Sequence, residues 1–229
     1  MFHRMVSTKG YGARMGVKIV VYGLAGTGKT TLCATCPNPI ILSAESGLLA
    51  LARWSLPAIE ICTIEDLREV FQWCKSSPEA RQNFQTICLD SVSEIAEIVL
   101  TNAKAKNKDG RAAYGDLIEE MSKVIKQFRD LSGYHVYMSA KQERIKDENT
   151  GVMINQPMMP GNKLGQAVPY LPDEVFKLDI EGTGTSSYRL LRTQPDFLNT
   201  AKDRSGVLDP IEEPNLGKII NKITLAQTA

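Results

Sequence analysis

The sequence predicts an α/β fold with a mostly parallel central sheet flanked by helices and a C-terminal β-hairpin. Three observations carry this. Short β-branched apolar runs alternate with stretches of helical period. The first such run ends directly in a glycine-rich turn, Gly23-Leu24-Ala25-Gly26-Thr27-Gly28. Near the end, two strand-like runs flank Gly182-Thr183-Gly184, the pattern of a hairpin. A chain of 229 residues with 43% hydrophobic content fits one such domain with a real core.

The elements follow in order. Residues 1–16 are polar and contain glycine, and are expected to form a flexible arm ahead of one domain over 17–229. Val17–Tyr22 reads as a buried strand, and Lys29–Thr35 as the start of a helix that Pro37 and Pro39 stop. Pro39–Ala44 and Ala58–Ile64 are further strands. Glu65–Lys75 is an amphipathic helix with Leu67, Val70, Phe71 and Cys74 on one face. Gln85–Asp90 is an apolar strand ending in an acid. Ser91 reads as the N-cap of a helix reaching about Ala105, with Glu94 completing a capping box. A basic loop is expected from Lys106 to Tyr114, a helix over Gly115–Leu131 and a strand over Tyr134–Ser139. Residues 142–172 show no period and read as one long polar loop, the kind that is functional or disordered. Glu174–Ile180 and Ser187–Thr193 form the hairpin, and Asn215–Ile223 a short helix.

Bulk properties exclude several classes. With 27 Lys+Arg against 26 Asp+Glu there is no global basic signature, so any nucleic-acid surface must be local. Five cysteines, an odd number, with Cys62 and Cys88 inside apolar runs, read as reduced thiols. Cys33 and Cys36 share a helix face, but no second Cys or His pair completes a zinc site, so core packing is the reading. No apolar run approaches the roughly 20 residues that span a bilayer. No signal-peptide core is seen, and the expected location is the cytoplasm.

Residues 23–30 match G-x-x-x-x-G-K-[ST] in full, between a strand and a helix. Glycines let the backbone curl around phosphate oxygens, and the amides of Gly23, Leu24, Ala25, Gly26, Thr27 and Gly28 point inward. Lys29 supplies a charge to the β/γ-phosphates, Thr30 a hydroxyl to Mg²⁺, and Thr31 a contact to the α-phosphate. Asp90, at the carboxyl end of its strand, is the natural second holder of Mg²⁺ through water. The expected ligands are therefore ATP and Mg²⁺.

Ile40–Leu48 is a strand that ends in Glu45, then a small residue and a glycine. This resembles the RecA-like ATPases, in which the glutamate ending that strand polarises the attacking water, and by that resemblance Glu45 is the catalytic base. Val136–Gln142 resembles the strand of that branch ending in a γ-phosphate sensor, which makes Lys141 or Gln142 the candidate. Thr200–Gly206 is similar to the K-x-R-x-G segment of hexameric replicative helicases. The resemblance makes Lys202 and Arg204 fingers acting on a neighbouring subunit's nucleotide. Together, the residues from Val17 to Asp209 resemble the short phage-encoded RecA/RadA-like core ATPases, which are associated with single-strand DNA binding and annealing in recombination. The implied partners are single-stranded DNA, copies of the same chain in a homo-oligomer with ATP at the interfaces, and a single-strand DNA-binding protein. The positions matching the two DNA loops carry Lys104, Lys106, Lys108, Arg111 and Tyr114, then Arg144, Lys146 and Lys163. Cations with an aromatic are what sequence-tolerant strand binding uses. Two other readings share the same P-loop: an ATPase switch acting on a protein partner, and a small-molecule kinase. The kinase lacks the arginines of a lid, since Arg144 stands alone in 142–168.

Overall fold

The computed structural model describes residues 5, 7–107, 109–147 and 150–227. A ten-stranded sheet runs through the middle of the molecule. Its parallel core comprises β1 (Lys18–Gly23), β2 (Pro39–Ser43), β3 (Ala58–Glu60), β4 (Thr86–Asp90), β5 (His135–Lys146) and β7 (Glu174–Glu181), with the short β6 (Met153–Pro157) between the last two in sequence. Across the sheet the core runs β7, β1, β5, β4, β2, β3, all parallel. Antiparallel additions are β8 (Tyr188–Arg192) and β9 (Lys202–Asp203) on β7, β10 (Ile211–Glu212) on β8, and β6 on β5.

Strand alternation divides the core into two layers. In β1, Val20 and Tyr22 face one layer while Ile19 and Val21 face the other. The first layer is covered by α3 (Ile64–Ser76), α5 (Val92–Lys106) and α6 (Gly110–Arg129), through Phe71, Ile95 and Phe128 among others. The second is covered by α2 (Lys29–Leu32) and α8 (Leu216–Ala226), through Leu32, Ile219 and Ile223. Cys33, Cys36 and Cys88 are buried in this layer behind the glycine-rich turn. Cys62 is exposed, because the strand expected over Ala58–Ile64 ends at Glu60 and Cys62 enters the turn before α3. There its amide donates to Asp66 Oδ2 at 2.9 Å.

Other expectations shift in register or in kind. Within the expected arm, Tyr11–Met15 form α1, whose Gly12 amide donates to Gln227 Oε1 at 2.6 Å. The expected loop 106–114 is mostly helix, because Asp109 caps Arg111 and starts α6 at Gly110. The long loop expected over 142–172 is a ribbon of β5 with β6, followed by α7 (Asn162–Ala167) and a single 3₁₀ turn. Ser91 caps α5, accepting from the Glu94 amide at 3.3 Å. The reciprocal half of the capping box is missing, since the Glu94 carboxylate pairs with Lys141. Among the described residues no helix is long and apolar enough to cross a membrane.

Candidate functional site: a phosphate cradle at the carboxyl edge of the sheet

The cradle starts where β1 stops. Gly23 has no room for a side chain, since a Cβ would lie 2.7 Å from the Leu178 carbonyl oxygen. Gly26 and Gly28 adopt φ of 79° and 103°, the left-handed region that glycine enters freely. The Thr27 hydroxyl closes the turn by donating to Leu24 O at 2.8 Å. Behind it, the Tyr137 hydroxyl donates to Lys29 O at 2.7 Å and anchors the helix start. The Lys29 ammonium donates to Gly23 O and Leu24 O, each at 3.0 Å, and so lies folded over the loop. Burial pulls its pKa down, while the nearby Glu45 and Asp90 carboxylates oppose that.

Three hydroxyls order the carboxylates around Lys29. Asp90 is 1% exposed at the end of β4. Thr30 Oγ1 donates to its Oδ2 at 2.8 Å, and Ser139 donates to its Oδ1. Burial raises the Asp90 pKa; the Ser139 and Thr30 hydrogen bonds work against the rise. The peptide bond from Asp90 to Ser91 is cis. Ser91 donates its hydroxyl to Glu45, which is half-buried beyond the end of β2. The backbone turns away immediately afterwards at Ser46, with φ 53°. The structure thus brings Lys29, Thr30, Thr31, Glu45, Lys141 and Gln142 to one cleft, with Asp90 beneath it. The Lys141 ammonium is paired with Glu94, which holds its pKa up. Gln142 donates to Asn155 Oδ1 at 3.0 Å, while its own Oε1 is buried without a partner among the described residues.

These residues fit an ATP–Mg²⁺ pair. Glycines with open space around the Gly26 Cα leave a concavity lined by amides, and the Thr30–Asp90 pair offers hard oxygen donors beside it. Among the described residues no cluster of three or more His, Cys, Asp or Glu is placed to hold a metal by itself. Mg²⁺ takes one or two protein oxygens and draws the rest from phosphate and water.

Residues 15–205 match the AAA domain family. The chain belongs to that family. In the sheet, one strand, β5, separates the P-loop strand β1 from the Asp90 strand β4. The chain is an AAA-type P-loop ATPase domain. Among solved structures it is similar to a KaiC-like protein from the hyperthermophilic archaeon Pyrococcus horikoshii. The identity is 14% over 82% of this chain and 86% of that one, at a TM-score of 0.46. No curated protein sequence matches it.

The remaining expected residues of the AAA domain lie elsewhere. Lys202 and Arg204 sit beside Val175 and Asp173, at the amino ends of β1 and β7, about a strand length from the cradle. Lys202 Nζ donates to Pro169 O at 2.7 Å and to Pro172 O at 2.6 Å, and burial lowers its pKa to about 8. Arg204 pairs with Asp173 at 3.0 Å. Neither reaches its own chain's cradle. Lys104 and Lys106 end α5, with the Lys104 ammonium 5.8 Å from the centre of the Tyr114 ring. Arg111, Tyr114 and Lys163 share one surface depression, and Gly161 lets the ring lie against the α7 entry. Arg144 and Lys146 are exposed on the far half of β5. Lys108 lies outside the described residues.

Two features escaped the sequence. Ser91 and Ser139 orient the two carboxylates, one from just beyond β4 and the other from within β5, and neither hydroxyl carries a spacing signal of its own. Arg189, on β8, donates Nε to Thr27 O at 2.8 Å and joins the cleft. It comes from 162 residues downstream, and only the sheet order brings it there.

Proposed function

We propose that this AAA domain binds and hydrolyses ATP with Mg²⁺ as a homo-oligomer, and couples turnover to single-stranded DNA in annealing or recombination. The observation that carries the hydrolytic part is the Glu45 carboxylate held by Ser91 at the mouth of a cradle containing Lys29 and Thr30. A carboxylate fixed there can orient a water for in-line attack and accept its proton. The hydroxyl from Ser91 occupies one oxygen of Glu45 and leaves the other for water. Lys29 swings from the loop carbonyls to the phosphates, and the loop amides take the phosphoryl charge. Thr30 and Asp90 would hold Mg²⁺, which would supply charge neutralisation of the phosphates. Lys141 and Gln142 line the same cleft, and one of them is the γ-phosphate sensor of this reading. Lys202 and Arg204, remote from their own cradle, act on a neighbour's nucleotide.

The DNA part is supported by Arg111, Tyr114 and Lys163 meeting in one depression, with Lys104 over the same ring. This combines a stacking surface with phosphate-tracking cations. The test is the ATPase rate of wild type and of Lys29→Ala, with and without single-stranded oligonucleotide, at two salt concentrations. Turnover lost in Lys29→Ala and raised by DNA in a salt-sensitive manner supports the proposal. Turnover in wild type that ignores DNA, with none retained in a binding assay, overturns the DNA part. Unchanged turnover in Lys29→Ala overturns the whole.

A further inference from the structure

We infer that Arg189 is a phosphate-binding residue of the cradle, acting within its own chain and from the hairpin side. This rests on the nucleotide reading above and adds a contact to it. The hairpin explains how the residue arrives. Pairing of β1 with β7 ends at Tyr22 opposite Lys177, but β7 continues to Glu181. The distal half of the β7–β8 hairpin therefore stands beyond the end of β1, as a wall beside the glycine-rich loop. Arg189 and Leu191 share one face of β8. Leu191 is buried in the layer that holds the cradle helix, so Arg189 projects on the cradle side.

The contact itself is specific. Arg189 Nε donates to Thr27 O at 2.8 Å, and a Cβ placed on Gly28 would come within 3.3 Å of the same nitrogen. The guanidinium thus lies against the two residues that precede Lys29. Its neighbours on the sheet use their charge internally: Arg192 pairs with Asp179 and Glu181, and Arg204 with Asp173. Arg189 has no carboxylate partner among the described residues, and its two terminal nitrogens make no protein hydrogen bond there. A guanidinium fixed by Nε keeps its terminal N–H groups as a planar fork, which matches two oxygens of a phosphate. Sited beside Gly28 and lining the cleft with Lys29, that fork faces the space where phosphates lie.

The experiment compares wild type, Arg189→Ala, Arg189→Lys and Lys29→Ala for affinity toward ADP and for inhibition of ATP turnover by inorganic pyrophosphate. Circular dichroism and thermal midpoints establish that each variant is folded. The expected result is that Arg189→Ala weakens ADP and pyrophosphate by about tenfold or more, the size of one charge-assisted contact. Arg189→Lys recovers part of this, keeping the charge without the clamp on Thr27. ADP and pyrophosphate affinities equal to wild type in Arg189→Ala, with Lys29→Ala impaired, overturn the assignment and leave the cradle intact. A loss for ADP with pyrophosphate unaffected also overturns it, since the contact would then be to base or ribose. Wild-type affinities in both Arg189→Ala and Lys29→Ala would instead remove the nucleotide reading.

Discussion

Glu174→Gln should flatten the stability of the protein between pH 6.5 and 8. Glu174 is 1% exposed at the start of β7. One of its oxygens accepts from the Ser205 amide at 3.2 Å, and the other is buried without a partner among the described residues. Burial, reinforced by the neighbouring Asp203, raises its pKa from 4.5 to about 8. Between those values the folded chain keeps a proton that the unfolded chain has released, so stability falls as pH rises. His135 works in the opposite sense, but only lower down. Burial brings its pKa from 6.5 to about 4, so its contribution is complete above pH 6.5. Lys18 and Lys202, both lowered to about 8, act only above that pH. Of these four groups, Glu174 alone titrates across the interval from 6.5 to 8. At about 1.4 kcal/mol per pH unit, it contributes about 2 kcal/mol of destabilisation across the interval. For a domain of this size that is a fall of roughly 4–8 °C in thermal midpoint. Glutamine keeps the acceptor for Ser205 and cannot ionise. Differential scanning fluorimetry of both proteins across the interval decides the matter. A wild-type midpoint that is flat from pH 6.5 to 8, or a variant that keeps the wild-type slope, would refute the assignment of a protonated, buried carboxyl.

The other expectations concern the cradle and its surroundings. Glu45→Gln preserves an acceptor for Ser91 and removes the base, so ATP turnover should fall by about 10²–10⁴ with ATP affinity retained; turnover near wild type would assign the water to another group. Gly16→Ala places a Cβ 1.9 Å from Tyr134 O at a φ of 77°, and should lower stability by about 2 kcal/mol or more in a denaturant titration. Arg111→Ala and Lys163→Ala should each make the salt dependence of single-strand affinity shallower by about 0.7 for every phosphate that no longer meets a cation; an unchanged slope would remove these side chains from the interface. Mixing Arg204→Ala with Lys29→Ala subunits should restore part of the turnover if Arg204 serves a neighbour, and no restoration at any ratio would count against it.

The sequence revealed the elements whose signals are local. Strands β1, β2 and β4 are apolar runs bounded by glycine, proline or an acid, because both their faces are buried. The cradle and Asp90 came from the same reading, since each ends one of those strands or directly follows it, whereas Glu45 came from the resemblance to RecA-like ATPases. What stayed hidden depends on long-range pairing. The β5–β6 ribbon places exposed Arg144 and Lys146 on a strand with little apolar face, so no period of two betrayed it. Gly110 lay in the loop expected over 106–114, whereas the Asp109 cap makes it a helix start. Capping by Ser91 was legible, but the fate of the Glu94 carboxylate was not, because Lys141 reaches it across 47 residues. Nothing near Arg189 in sequence announces a P-loop partner.

Helix α5 would link the two proposed activities. Its first residues fix the cleft: Ser91 holds Glu45, Ser93 accepts from the Lys141 amide at 2.9 Å and donates to Met158 O at 2.8 Å, and Glu94 holds the Lys141 side chain. Its last turn carries Lys104 and Lys106, with Lys104 over Tyr114. Fifteen residues of helix span about 22 Å, and the buried stripe of Ile95, Val99 and Leu100 keeps the rod packed along its length. A rod tied at both ends transmits displacement at one end to the other, where a flexible loop would absorb it. Under the proposed function, a DNA strand seated at the Lys104 end would bear on the Ser91–Glu45 hydrogen bond. On that proposal, turnover would respond to DNA bound at a surface away from the cradle.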